Sequence, residues 1–240
     1  MSQWDQRERS PLLSDPGVRA RLIAWALAAV IFVSGAVYGT ALLLSRLGPS
    51  GAATTPPAPV DEALKSLVIP EFTLIDQDGR RLGRDWLRGR VTVLAFSFTN
   101  CPTACPVMHA HLIRMQGLLT GSTVRIGTIS VDPENDTPEA LRAYAASKGI
   151  DTARWTMLTG DRAEVTNILA GLRVATTEDP SITITLKDGR TMANILHSTR
   201  LFVIGPDASV VALEDGLTWA GAESAARKAR AAQGLIGGGR

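Results

Sequence analysis

Only two cysteines and three histidines occur in the 240 residues of this chain. Two thiols are too few for a disulfide scaffold and too few for a four-thiolate zinc site. They leave a redox pair, a small structural disulfide or a mixed-ligand metal site. Charge of one sign is also lacking, because 25 Lys and Arg against 23 Asp and Glu leave a formal +2. No basic cluster is interleaved with aromatics, which excludes a nucleic-acid partner. The third absence is local: from Leu22 to Leu44 there is no charged residue, and only Ser34, Tyr38 and Thr40 are appreciably polar. At ~1.5 Å per residue such a helix reaches about 35 Å, enough for the ~30 Å hydrocarbon core of a bilayer.

The rest of the chain, with 45% hydrophobic and 20% charged residues overall, has the make-up of one folded domain. Leu42-Leu43-Leu44 runs to the far edge of the apolar segment, unlike the small-residue end of a cleavable signal, and predicts an uncleaved anchor. Arg7, Arg9, Arg19 and Arg21 precede the segment and only Arg46 follows closely, so the N-terminus is expected in the cytosol and the domain outside. Gly35 and Gly39 have the spacing that lets membrane helices approach, although glycine is common in such helices anyway. Gly48 to Pro59 lacks charge and periodicity and reads as a semi-rigid linker. The expected organisation is a tail at 1–21, an anchor at 22–44, a linker at 45–63, a folded domain at 64–233 and a frayed end at 234–240.

Within the domain, Phe72 to Leu82 reads as a hairpin turned by Asp78-Gly79, and Val91 to Phe98 as a central strand buried on both faces. Phe96 and Phe98 alternate along it and are core candidates. A helix is expected from Thr103 to Leu119, with Pro106 tolerated in its first turn. Val124 to Val131 is a second buried strand, and Asp136-Thr137-Pro138-Glu139 starts a helix that ends near Lys148. A strand at Trp155 to Leu158, a helix at Arg162 to Leu172 and a hairpin within Ile182 to Met192 follow. Strands at Ile195 to Ile204 and Val210 to Leu213 and a helix from Trp219 to Ala232 close the domain. Alternating strands and helices predict a layered α/β sheet.

Cys101 and Cys105 sit directly after the first buried strand, where a helix N-terminus favours thiolate over thiol. Four positions apart on one helix turn, they would have Cβ atoms roughly 5 to 6 Å apart. Two thiolates so placed can chelate one ion or close a disulfide, so metal binding and oxidation compete.

Three segments carry a family resemblance: Phe98-Thr99-Asn100-Cys101-Pro102-Thr103-Ala104-Cys105-Pro106, Ser130-Val131-Asp132-Pro133-Glu134-Asn135-Asp136-Thr137-Pro138, and His197-Ser198 opening a strand that ends in Ile204-Gly205-Pro206-Asp207. Together they make the chain similar to the Sco/SenC family of membrane-anchored copper proteins. That resemblance implies a thioredoxin-like fold, a mixed sheet flanked by helices, after a single transmembrane helix. It implies a periplasmic domain on a bacterial inner membrane, and copper, as Cu(I) and also Cu(II), held by Cys101, Cys105 and His197. Two sulfurs and one nitrogen suit Cu(I). The implied function is a metallochaperone loading the dinuclear copper site of cytochrome c oxidase. Its implied partners are an oxidase subunit and other periplasmic copper chaperones or thiol reductants. The family usually has an acidic residue just before the histidine, where this chain has Ile195-Leu196.

An enzyme reading uses the same sulfurs, as a thiol-disulfide reductase that keeps the recipient's cysteines reduced. The lack of a proline at Ser198-Thr199, where many thioredoxin-like enzymes carry a cis-proline, favours metal over dithiol exchange. A peroxidase is disfavoured because no further cysteine could resolve a sulfenic acid. His109 and His111 are placed outside the site as helix-face residues. Asp132 and Asp136 are read as shaping their loop and capping the next helix.

Overall fold

The computed structural model describes residues 16–46 and 62–237. The chain divides into two compact units, Met1–Ala58 and Pro59–Arg240. In the first, helix α1 (Pro16–Arg46) contains a stretch, Pro16–Thr40, long enough to cross a membrane, within which 18 consecutive residues reach a mean hydropathy of 2.1. Trp25, Phe32 and Tyr38 are exposed on it, as expected of a helix whose solvent is lipid. The helix covers both ends of the anchor expected at 22–44. The linker expected at 45–63 is helical at its edges, in α1 and in the short α2 (Glu62–Lys65), and residues 47–61 lie outside the described residues.

The second unit is built on a seven-stranded mixed sheet in the order β2-β1-β5-β4-β3-β8-β9. Its strands are β1 (Thr73–Asp76), β2 (Arg81–Gly83), β3 (Thr92–Ser97), β4 (Arg125–Ser130), β5 (Trp155–Gly160), β8 (Arg200–Ile204) and β9 (Val210–Asp215). Strands β3, β4 and β5 are parallel, and β1, β2, β8 and β9 add antiparallel edges. Every residue of β3 is buried, so its side chains alternate between two cores. Val93 and Ala95 pack with Met108 and Leu112 of α3 (Ala104–Leu118) and with the alanines of α6 (Trp219–Gly237). Leu94 and Phe96, with Phe98 beyond the strand, pack with Val165 and Ile168 of α5 (Arg162–Gly171). The parallel strands read as continuous apolar runs because helices cover both faces.

Local signals placed the remaining helix well. α4 (Pro138–Lys148) begins at Thr137, whose hydroxyl accepts the Ala140 amide, has Pro138 in its first turn, and ends on Gly149 in the left-handed region at φ 65°. Asp136 does not cap it.

Three expectations change. The hairpin within Ile182 to Met192 is the tip of a longer two-stranded sheet, β6 (Thr176–Thr185) against β7 (Thr191–His197), with a register shift between Asp179 and Thr183. His197 therefore closes β7 opposite Thr176 and does not open the strand beside β3; β8 does that, after Ser198-Thr199. Helix α6 runs through Gly237, so residues 234–237 are helical and the frayed end expected at 234–240 is left with 238–240, outside the described residues.

Candidate metal centre

The cysteine loop leaves the C-terminal end of β3 and is tied down from below. The Asp136 carboxylate accepts the Thr99 amide at 3.1 Å, the Thr99 hydroxyl, and the Ser130 hydroxyl at 2.5 Å. Ser130 also accepts the Asp132 amide (3.0 Å), and Asn135 donates to both Asp132 oxygens. Asp132 and Asp136 thus brace the loop that carries Cys101. Burial holds the Asp136 carboxyl up at about 6, against the hydrogen bonds from Ser130 and Thr99 that favour its charged form.

Cys101 lies before helix α3, not on it, and its amide donates to Phe98 O at 3.3 Å. The four-residue spacing is therefore bridged by a turn instead of a helix face. Cys105 is the second residue of α3, and its amide points at Cys101 Sγ from 3.4 Å. The Cys101 thiol is lowered to about 5, first by hydrogen bonding from the Cys105 thiol, then, against the opposing effect of burial, by backbone amides at the helix start. Cys105 is pushed far up by that same thiol contact, by burial and by the Cys101 charge. The two thiols titrate as a coupled pair, the first proton leaving early and the second held far longer.

His197 reaches this pair from β7. Its Nε2 lies 3.5 Å from Cys105 Sγ, and its ring meets Phe98 edge-on at 6.0 Å between centroids. Nδ1 sits 3.0 Å from Ser198 O, which can only accept, so Nδ1 carries the proton and Nε2 presents its lone pair to the sulfurs. Burial lowers the imidazole below its ordinary value and keeps it neutral, the form that binds metals. Gly216 fixes the neighbouring backbone: its amide donates to Thr199 O at 3.0 Å, and a Cβ there would stand 2.4 Å from that oxygen. Of the three residues singled out in the sequence, Cys105 thus stands between the other two, its amide 3.4 Å from Cys101 Sγ and its sulfur 3.5 Å from His197 Nε2, although His197 gets there by another route.

The other histidines face elsewhere. His109 is buried, with Nδ1 2.7 Å from the Tyr144 hydroxyl and its ring edge-on to Tyr144 and Trp155; burial lowers it to about 4. His111 Nδ1 donates to Gly216 O at 3.0 Å. Val107 and Leu196, beside Cys105 and His197 in sequence, are exposed.

A family model described as SCO1/SenC matches residues 60–233. The chain belongs to the SCO1/SenC family. Among curated relatives, a SCO1 protein homolog of Bacillus subtilis (strain 168) is 33% identical over 146 residues, covering 60% of this chain and 71% of that protein. Among solved structures, Bradyrhizobium japonicum ScoI with copper bound superposes with a TM-score of 0.54 at 27% identity, covering 68% of this chain and 98% of that one. BsSco, described as a member of the Sco family of cytochrome c oxidase assembly proteins with a disulfide switch, gives 0.57 at 28%, covering 71% and 95%. The thioredoxin-like, mixed-sheet SCO1/SenC fold and the N-terminal apolar helix expected from the sequence both hold.

Proposed function

We propose that this SCO1/SenC protein is a membrane-anchored copper metallochaperone that holds copper through Cys101, Cys105 and His197 and delivers it to the dinuclear copper site of cytochrome c oxidase. The observation that carries the reading is the convergence of a neutral imidazole nitrogen on the buried cysteine pair, with Nε2 3.5 Å from Cys105 Sγ. Two soft sulfurs and one nitrogen exclude hard cations such as magnesium and suit Cu(I); the same set accepts Cu(II). The coupled pair gives up its first proton early, so binding at neutral pH need displace only the second. Release proceeds when a recipient's thiolates replace these donors one at a time. Copper in B. japonicum ScoI and oxidase assembly in the Sco family of BsSco support the cargo and the destination.

The apolar helix and the arginines before it support a single-pass anchor in a bacterial inner membrane, N-terminus cytoplasmic and domain periplasmic. The recipient is then an oxidase subunit, with periplasmic copper chaperones or thiol reductants upstream, and exposed Val107 and Leu196 give a protein partner apolar surface beside the ligands.

One observation favours a second role, thiol-disulfide reduction of the recipient. A low-pKa Cys101 beside a protonated Cys105 is the arrangement of an attacking thiolate and its resolving partner. His197→Ala separates the two. Copper transfer to a copper-free oxidase subunit domain should fail in that variant while reduction of the domain's disulfide continues. If transfer persists without His197, the chaperone reading fails; if reduction never occurs in either protein, the second role is removed.

A further inference from the structure

At the opposite end of the parallel strands from the cysteine loop, where β3, β4 and β5 begin, lies a cleft of about 580 Å³. Four arginines line it: Arg80, Arg90, Arg125 and Arg154. Three of them, Arg90, Arg125 and Arg154, form no ion pair among the described residues, although Arg80 has Asp76 and Asp78. Asp76 also borders the cleft, but its Oδ1 is taken by the Asp78 and Arg80 amides at 2.9 and 2.8 Å. Among the described residues the cleft therefore carries an excess of positive charge, four arginines against Asp76.

Two of its guanidinium groups, those of Arg125 and Arg154, are also held in place. Arg125 lies flat over Trp86, 4.2 Å from the ring, with Nε donating to the Thr92 hydroxyl at 3.1 Å, while Nη2 is buried without a partner. Trp86 in turn covers Gly127, where a Cβ would come within 2.9 Å of its ring. Arg154 is pinned through Nη1 to Leu119 O (3.1 Å) and Ser122 O (3.4 Å). Burial and the charge of Arg90 bring the Arg125 guanidinium down to about 10, so the two cations crowd each other. Guanidinium forks gathered on one cleft without carboxylate partners, two of them anchored, are the donor set for an oxyanion that accepts several N–H groups at once.

We propose that this cleft is a binding site for a phosphate group, free or carried on a phosphomonoester or phosphodiester, separate from the metal centre. The tetrahedral oxyanion would sit between Arg90 and Arg125 with Arg154 behind. The site asks nothing of Cys101, Cys105 or His197, so it stands or falls independently of the copper reading.

The test is isothermal titration calorimetry on the full chain in neutral maltoside detergent, at ionic strength held constant with sodium chloride. The probes are inorganic phosphate, glycerol 3-phosphate, dihexanoyl phosphatidylglycerol and, as a carboxylate control, acetate. Saturable binding at one site per chain is expected. It should weaken about tenfold or more in Arg90→Ala and Arg125→Gln, the effect of losing a charge-assisted hydrogen bond, and stay unchanged in Arg88→Ala, outside the cleft. Because Arg90 is exposed, its variant guards against a folding artefact. Binding of inorganic phosphate or glycerol 3-phosphate supports a soluble source; binding of the phospholipid alone supports a headgroup. No saturable binding of any phosphate probe, equal binding of acetate, or unchanged affinity in Arg90→Ala overturns the proposal.

Discussion

Replacing Asp136 with asparagine should remove a specific slope from the pH dependence of stability. In the folded domain this carboxyl is buried and titrates at about 6, against an ordinary 3.8. A carboxyl raised on folding stabilises the fold while protonated and loses that contribution as pH climbs through its folded value. Between pH 4, already just above the unfolded value, and pH 7 the shift is worth about 2 kcal/mol. His109, lowered from 6.5 to about 4, works the other way over the same window, because a base buried neutral loses stability as pH falls. The low Cys101 value adds a further gain as pH rises above about 5. Only the difference between wild type and Asp136→Asn isolates the carboxyl. Urea denaturation of residues 60–237, followed by tryptophan fluorescence at pH 4 to 7, should give a stability difference that moves by about 2 kcal/mol in favour of the variant as pH rises. A difference that stays flat across the window would refute the assignment of a buried, protonatable tether under the cysteine loop.

Other consequences are open to simpler assays. Cys105→Ala removes the thiol that does most to hold Cys101 low, so the midpoint of Cys101 alkylation by iodoacetamide, near pH 5 in wild type, should move up by a pH unit or more; an unchanged midpoint contradicts the shared-proton picture. His109→Phe should leave copper stoichiometry intact, since that ring faces Tyr144 and Trp155, and loss of copper would move His109 into the site. Gly216→Ala drives a Cβ against Thr199 O and should lower stability by about 1–3 kcal/mol, read from the denaturation midpoint.

Much of this was legible in the residues. The β-branched and apolar run before Cys101 can be satisfied only by helices on both faces, and the Asp136-Thr137-Pro138-Glu139 start placed α4, ending near Lys148, to within a residue of its cap. His197 shows where local reading stops. From Ile195 to Ile204 nothing but Ser198-Thr199 interrupts the strand-forming residues, with no Gly or Pro to mark the change of sheet, so a break set by tertiary pairing with β6 and β3 left no local sign. The placement of Cys101 did leave one: Pro102 disfavours helical backbone at the residue before it. Pro106 presses equally on Cys105, which stays helical because the ring falls in the first turn of α3. Asp136 was read as a helix cap because Asp before Thr-Pro suits that role; its partners Thr99 and Ser130 come from other elements and are visible only in three dimensions.

The central claim is tested most directly by copper stoichiometry and X-ray absorption on the reduced outer domain, prepared anaerobically as wild type, Cys101→Ala, Cys105→Ala and His197→Ala. One copper per chain with sulfur and nitrogen ligands, lost in each variant, is the predicted result. Copper bound as tightly without His197, or with no nitrogen in its shell, would contradict it.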